Sequence, residues 1–200
     1  NDLGSKSSEC DRLVFPGDKE TYRYLGRYLE LDGQLIRLEV ARDGAFIKAK
    51  KAEGVEFGPV RVPETISEFE AIGESGHFTR NPAKGEFTLP VGKYRVYRWT
   101  INRKDDKNVS WSLSANSGFS SIADFEVATA KPASLAIGEP IRPVLEAVES
   151  KSQVRFSLRM IGPLGESVDI MRGQDRPRAP QLRMASANGL FRSTNTFEYG

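Results

Sequence analysis

Apolar and polar residues alternate with a period of two through most of the chain, the pattern of strands with one face in a core and the other in water. In Ile36-Arg37-Leu38-Glu39-Val40 every second residue is apolar, and Ile47 and Ala49 resume the alternation against Lys48 and Lys50. Between them Asp43-Gly44 suits a tight turn that needs positive φ, so 36–50 predicts a hairpin with one charged face. A second hairpin is predicted between Lys93 and Ala115. There Val109, Trp111, Leu113 and Ala115 alternate with three serines, while Tyr94 to Ile101 is apolar on both faces and suits a central strand. Pairing about Asp105 in the polar loop Arg103–Asn108 would set Trp99 opposite Trp111, Tyr97 opposite Leu113 and Ile101 opposite Val109.

Between the hairpins, Pro63 to Gly73 changes period. Thr65 and Glu68 have capping-box spacing, and Ile66, Phe69 and Ile72 fall three apart, so 64–72 predicts a short helix, with an irregular edge strand as the alternative. Prolines at 132, 140 and 143 interrupt the pattern over 131–143, which reads as a linker or a first strand. Beyond them, Val154, Phe156, Leu158 and Met160 alternate with Arg155, Ser157 and Arg159. Turns at Gly162–Gly165 and Asn188-Gly189 then separate Val168 with Ile170, Leu182 with Met184, and Phe197 with Tyr199. Short strands in succession imply antiparallel packing rather than βαβ units.

Gly85-Glu86-Phe87-Thr88-Leu89-Pro90-Val91-Gly92-Lys93-Tyr94-Arg95-Val96 is similar to the G-x-F-x-L-P-x-G-x-Y-x-V stretch of prealbumin-like and carboxypeptidase-regulatory-like β-sandwiches of exported bacterial proteins. The resemblance spans residues 85–96 and implies a fold rather than a chemistry, since such modules are mostly accessory or adhesive and lack a catalytic site. The region after 140 resembles immunoglobulin-like domains in strand spacing, without their Cys…Trp…Cys signature. The expected architecture is all-β: a polar tail (1–12), a larger prealbumin-like β-sandwich (13–130), the proline-containing stretch (131–143), and a small immunoglobulin-like β domain (144–200). The 57 residues of 144–200 are few for an independent sandwich, so this last part should lean on the larger one or be reduced.

Composition narrows the chemistry. The 200 residues include one cysteine (Cys10) and one histidine (His77), which excludes an intrachain disulfide and nearly excludes a Cys/His zinc site. Residues 1–130 carry 19 basic and 20 acidic side chains, and 131–200 carry 10 and 7, too weak a field for nucleic acid. No apolar run is long enough to span a membrane. The polar residues Gly4 to Glu9 read as a tail left after a removed export signal, with Cys10 as a spare thiol, so the expected location is exported.

Candidate sites follow from residue type. His77, in Gly76-His77-Phe78, lacks a G-x-S-x-G partner motif and reads as a surface-loop histidine. Glu68 with Glu70, Glu30 with Asp32, and Asp105 with Asp106 are the carboxylate pairs a glycosidase would need facing each other across a cleft. Asp105, Asp106 and Asn108 lack EF-hand spacing and read as a polar hairpin tip. Tyr22, Tyr24 and Tyr28, interleaved with Arg23 and Arg27, offer either a platform for sugars or peptides or ordinary structural packing. Trp99 and Trp111 pose the same choice, and their alternation favours a core. Arg172, Arg176, Arg178 and Arg183 form the best basic cluster, on a Gly/Pro-rich stretch where guanidinium forks would hold carboxylate or phosphate. The expectation is a non-catalytic exported module, without cofactor or metal, that binds a protein or cell-envelope component. A carbohydrate-binding module using exposed aromatics is the alternative, and a glycosidase a more distant one.

Overall fold

A computed structural model describes residues 12–15, 18–41, 43–117, 122–151 and 153–199, with the backbone alone for residues 15 and 18–22. The expected tail, Cys10 included, lies outside the described residues apart from Arg12. The strands are β1 (Arg12–Phe15), β2 (Asp18–Tyr24), β3 (Tyr28–Leu31), β4 (Gln34–Val40), β5 (Ile47–Lys51) and β6 (Phe57–Arg61). They continue as β7 (Glu68–Gly73), β8 (Gly76–Arg80), β9 (Glu86–Pro90), β10 (Gly92–Lys104), β11 (Ser110–Asn116) and β12 (Asp124–Val127). The last are β13 (Ala133–Ser134), β14 (Arg142–Ser150), β15 (Gln153–Ile161), β16 (Asp169–Arg172), β17 (Gln181–Ala185) and β18 (Arg192–Thr196). No helix occurs among the described residues, and so none long and apolar enough to cross a membrane.

The central sheet has the order β16-β11-β10-β7-β8, with β12 also paired to β10; a second sheet has the order β13-β6-β9. Trp99, Phe69, Phe78, Val96 and Ile101 from the first and Val60 and Leu89 from the second meet in one buried core. Burying side chains of this size contributes about 1.5–3 kcal/mol each. In β10, Tyr94 and Val96 point into the core, a bulge between Val96 and Arg98 reverses the alternation, and Trp99 and Ile101 then point inward. That bulge, together with a covered outer face at Tyr97, is why Tyr94–Ile101 looks apolar on both sides.

Two sequence expectations need correction. The helix near 64–72 is not formed: after a turn at Pro63 the chain enters β7, which lies between β10 and β8. Ile66 and Phe69 fill the main core while Ile72 is buried on the sheet's other face, so a spacing of three arises from a strand covered on both sides. The β10–β11 register also differs. Trp99 pairs with Ala115, Ile101 with Leu113 and Arg103 with Trp111. The loop is centred on Lys107 because Asp105 closes it, its carboxylate accepting from the Lys107 and Val109 amides at 2.9 Å each and from the Trp111 indole at 3.0 Å. An even-numbered shift keeps each residue on its predicted face.

The β4–β5 hairpin forms as expected, with Leu38 opposite Ala49 and Val40 opposite Ile47. The stretch 131–143 is woven into the core, since β13 adds parallel to β6 and Ile137 is fully buried. β16 then returns from beyond β14–β15 to pair with β11, Leu113 opposite Ile170. The C-terminal part thus supplies an outer strand to the central sheet.

Candidate functional site

Two places gather chemistry-bearing side chains. The first lies behind the central sheet, where β7 and β8 place Glu70 and His77 on the face opposite the main core. Their turn is fixed from outside: the amides of Arg27 and Tyr28 donate to the carbonyls of Glu74 and Ser75, both at 2.9 Å. This approach needs glycine at 26 and 76; a Cβ on Gly26 would stand 2.4 Å from the Gly76 Cα.

The His77 ring is 5% exposed, and its Nε2 lies 3.1 Å from Glu70 Oε2. Tyr24 and Tyr97 flank the ring with centroids 5.6 and 5.5 Å away, and Arg12 lies over Tyr24 at 5.6 Å. Burial pushes the Glu70 carboxyl up, but the His77 hydrogen bond and charge, with Arg98 and Arg23 nearby, outweigh it and leave the pKa lowered. The surface-loop reading of His77 is therefore corrected. The residue sits in β8, its ring buried beside those of Tyr24 and Tyr97. Through Tyr24 the cluster packs β2 against the central sheet.

The second place lies between the two C-terminal hairpins. Cross-strand register puts Leu145, Ala147, Val154, Phe156, Leu158 and Met160 on one face of β14–β15, and Arg155 and Arg159 on the other. The apolar face meets Leu182 and Met184 of β17, with Phe197 and Tyr199 beyond β18, across a groove of about 670 Å³. Cover is incomplete. β15 lines the groove, while Leu145 on β14 and Val154 at the end of β15 are each 51% exposed. Each hairpin is a two-stranded sheet, so among the described residues β14, β17 and β18 each keep an outer edge free of ladder partners, and β15 does so up to Met160 and Ile161, which meet Val168 and Ser167. The groove's end is built by the segment before β17. Phe197 N donates to Pro180 O at 3.0 Å, and the Tyr199 hydroxyl to Pro177 O at 2.8 Å.

The arginines singled out in the sequence are dispersed rather than converged. Arg172 stands over the Trp111 ring at 6.0 Å, on the central sheet. Arg176 lies 5.0 Å from the centroid of Tyr199, a groove-lining ring. Arg178 is exposed between Pro177 and Pro180, and Arg183 alternates with Leu182 and Met184, on the outer face of β17. The tyrosines do not share an open platform either. Tyr24 is buried against His77, Tyr28 is half-buried against the main core, and the Tyr22 side chain lies outside the described residues.

Trp99 is fully buried and Trp111 half-buried, its indole held by Asp105, so neither forms an open sugar platform. The Trp111 hydrogen bond, then the Val109 amide, keeps Asp105 below the usual carboxylate range. Of the candidate acids, Glu30 bonds Arg80 at 2.6 Å and Glu70 bonds His77, which leaves neither facing its sequence neighbour across a cleft. Among the described residues no three His, Cys, Asp or Glu side chains converge to hold a metal.

Sequence reasoning identified Phe156, Leu158, Leu182, Met184, Phe197 and Tyr199 as strand residues but not as a site. The available signal was the mismatch between their number and the small unit expected to bury them. Comparison with family models, with curated proteins and with solved structures finds no match to this chain.

Proposed function

We propose that the protein is an exported, non-catalytic binding module whose C-terminal hairpins take up an extended segment of a protein partner. One observation carries the reading: an apolar groove whose walls are sheet faces and whose borders are unpaired strand edges. An extended chain laid there would extend a ladder through its backbone and sink alternate side chains among Phe156, Leu158 and Leu182, the physics of strand addition. Contiguous exposed apolar surface beside open edges is otherwise a liability for self-association, which an occupant would remove. The twelve-residue likeness to accessory modules agrees with this reading and adds no residue to it.

Selection from a displayed library of random nine-residue peptides against the full chain tests the proposal. Enriched peptides should alternate apolar residues and lose binding to Phe156→Asp, while Lys50→Asp, on the distant β5, leaves binding unchanged. Far-UV circular dichroism of both variants establishes that they fold. Absence of Phe156-dependent enrichment overturns the reading. Saturable binding of an oligosaccharide panel at the same residues would also overturn it, giving the groove to the carbohydrate alternative.

A further inference from the structure

We infer that the tip of the β17–β18 hairpin, residues 186–191, docks on a bilayer surface carrying anionic phospholipid, with Leu190 and Phe191 inserted and Arg183 and Arg192 at the headgroups. The tip is separate from the groove, whose lining includes neither of these apolar residues. The two readings are therefore tested independently.

Leu190 is 88% exposed, the most exposed large apolar side chain among the described residues, and its neighbour Phe191 is 55% exposed. The turn that displays them is firmly built. Gly189, at φ 71°, bends the chain, and its amide donates to Ser186 O at 2.9 Å. Asn188 Oδ1 accepts from the Leu190 amide at 3.1 Å and from the Ser186 hydroxyl at 2.7 Å. Ser186 Oγ in turn accepts from the Phe191 amide at 2.9 Å. Three consecutive amides, 189 to 191, thus find acceptors inside the turn. A backbone whose donors are met internally gives up water at small cost, which entry into the edge of a hydrocarbon layer demands. Ser186 to Phe191 also carry no charge, so the leading end desolvates none.

Charge begins directly behind. Arg192, opposite Ala185, and Arg183, opposite Thr194, share one face of the hairpin. Residues 181–196 include these two cations and no acidic residue. The nearest acid along the chain is Glu198, beyond Phe197 at the opposite end of the hairpin. Six residues of strand, about 20 Å, separate Phe191 from Phe197, more than a Debye length at physiological salt. A convex, uncharged apolar tip backed by cations suits a planar layer of negative surface potential; a protein partner would have to offer it a pocket. Two inserted side chains give only reversible attachment, so the headgroup charge is the necessary second signal.

The β4–β5 turn supplies the contrast. Phe46 and Ile47 are half exposed there, yet the Asp43 carboxylate stands at the bend, accepting from the Ala45 amide at 3.0 Å, and Lys48 Nζ lies 5.0 Å from the Phe46 ring centroid. Inserting that turn would strip water from charges.

Flotation of the full chain with unilamellar vesicles tests the inference. The parent should float with phosphatidylcholine vesicles containing about 30% phosphatidylglycerol and stay behind with phosphatidylcholine alone. Leu190→Ser/Phe191→Ser should lower the partition coefficient at least about tenfold and Arg183→Gln/Arg192→Gln at least about fivefold, whereas Phe46→Ser and Phe156→Asp stay within about twofold of the parent. Far-UV circular dichroism of each variant establishes that it folds. Phe191→Trp should add fluorescence that lipid brominated on its acyl chains quenches, while Trp99 and Trp111 of the parent are spared. Flotation that survives Leu190→Ser/Phe191→Ser would overturn the inference, since the contact would then be one of diffuse charge. Equal loss in Phe46→Ser would overturn it too, as would loss in Phe156→Asp, which would move the lipid to the groove. Absence of flotation would overturn it, leave the tip to a protein partner's pocket, and leave the groove reading standing.

Discussion

The two ends of the molecule use the same raw material differently. Around Trp99, alternating strands from two sheets close on one another, and Phe69, Phe78, Ile101 and Val60 lose essentially all contact with solvent. Around Phe156, alternation is equally regular, yet Leu145 and Val154 stay half exposed because, among the described residues, each of the two hairpins is only two strands wide. Alternation specifies which side of a strand is apolar; the number of neighbouring strands decides whether that side becomes a core or a surface for something else.

The contrast makes quantitative predictions. Trp99→Ala opens the largest fully buried position and should cost about 3–5 kcal/mol, read as a lower urea midpoint. Tyr94 should give the next largest effect. Burial pushes its phenol up to about 12, and the hydroxyl donates to Pro90 O at 2.7 Å. Because the folded pKa is raised, its contribution is full below the ordinary value of 10.0 and is lost as pH rises towards 12. The two-unit difference corresponds to roughly 2–3 kcal/mol. Tyr94→Phe should flatten that alkaline limb in unfolding curves taken from pH 9 to 12.

Glu70 works in the opposite direction. Its folded pKa is lowered, so its contribution is complete above the ordinary carboxylate value and is lost as pH falls through the folded one. Glu70→Gln should cost about 1–2 kcal/mol at neutral pH and less in acid, with the His77 ring proton in NMR as the local probe. The smallest effect belongs to the open region. Leu158→Ala should cost about 1 kcal/mol or less, whereas Leu113→Ala in the closed core should cost roughly 2–5. Equal costs at the two leucines would mean that the groove is closed in solution.

Much of the fold was legible because its signals are local. The β4–β5 turn at Asp43-Gly44, the serines alternating with Trp111 and Leu113, and the run from Val154 to Met160 each state their own geometry. What was not legible depends on partners distant in sequence. The Ile66, Phe69 and Ile72 spacing imitated a helix because cover on both sides of β7 comes from elsewhere in the chain. The β10–β11 register turned on the carboxylate of Asp105, which closes a loop centred two residues further along than the symmetric pairing assumed. His77 looked like a loop residue because the tyrosines over it stand 53 and 20 positions away. The groove was hidden for the same reason, since the sequence reveals apolar faces but not which are left uncovered. The arginine cluster was visible as composition, but its dispersal, with Arg172 over Trp111, Arg176 against Tyr199 and Arg183 on the outer face of β17, was not.

The return of β16 to β11 has a mechanical side. A partner bound at the proposed groove would pull on β17–β18, and the covalent path from there to the main core runs through the four residues of β16 before any other. Antiparallel to β11, that short ladder is placed to take strain first. Under such a load it would serve as a fuse, giving way before the sheets around Trp99.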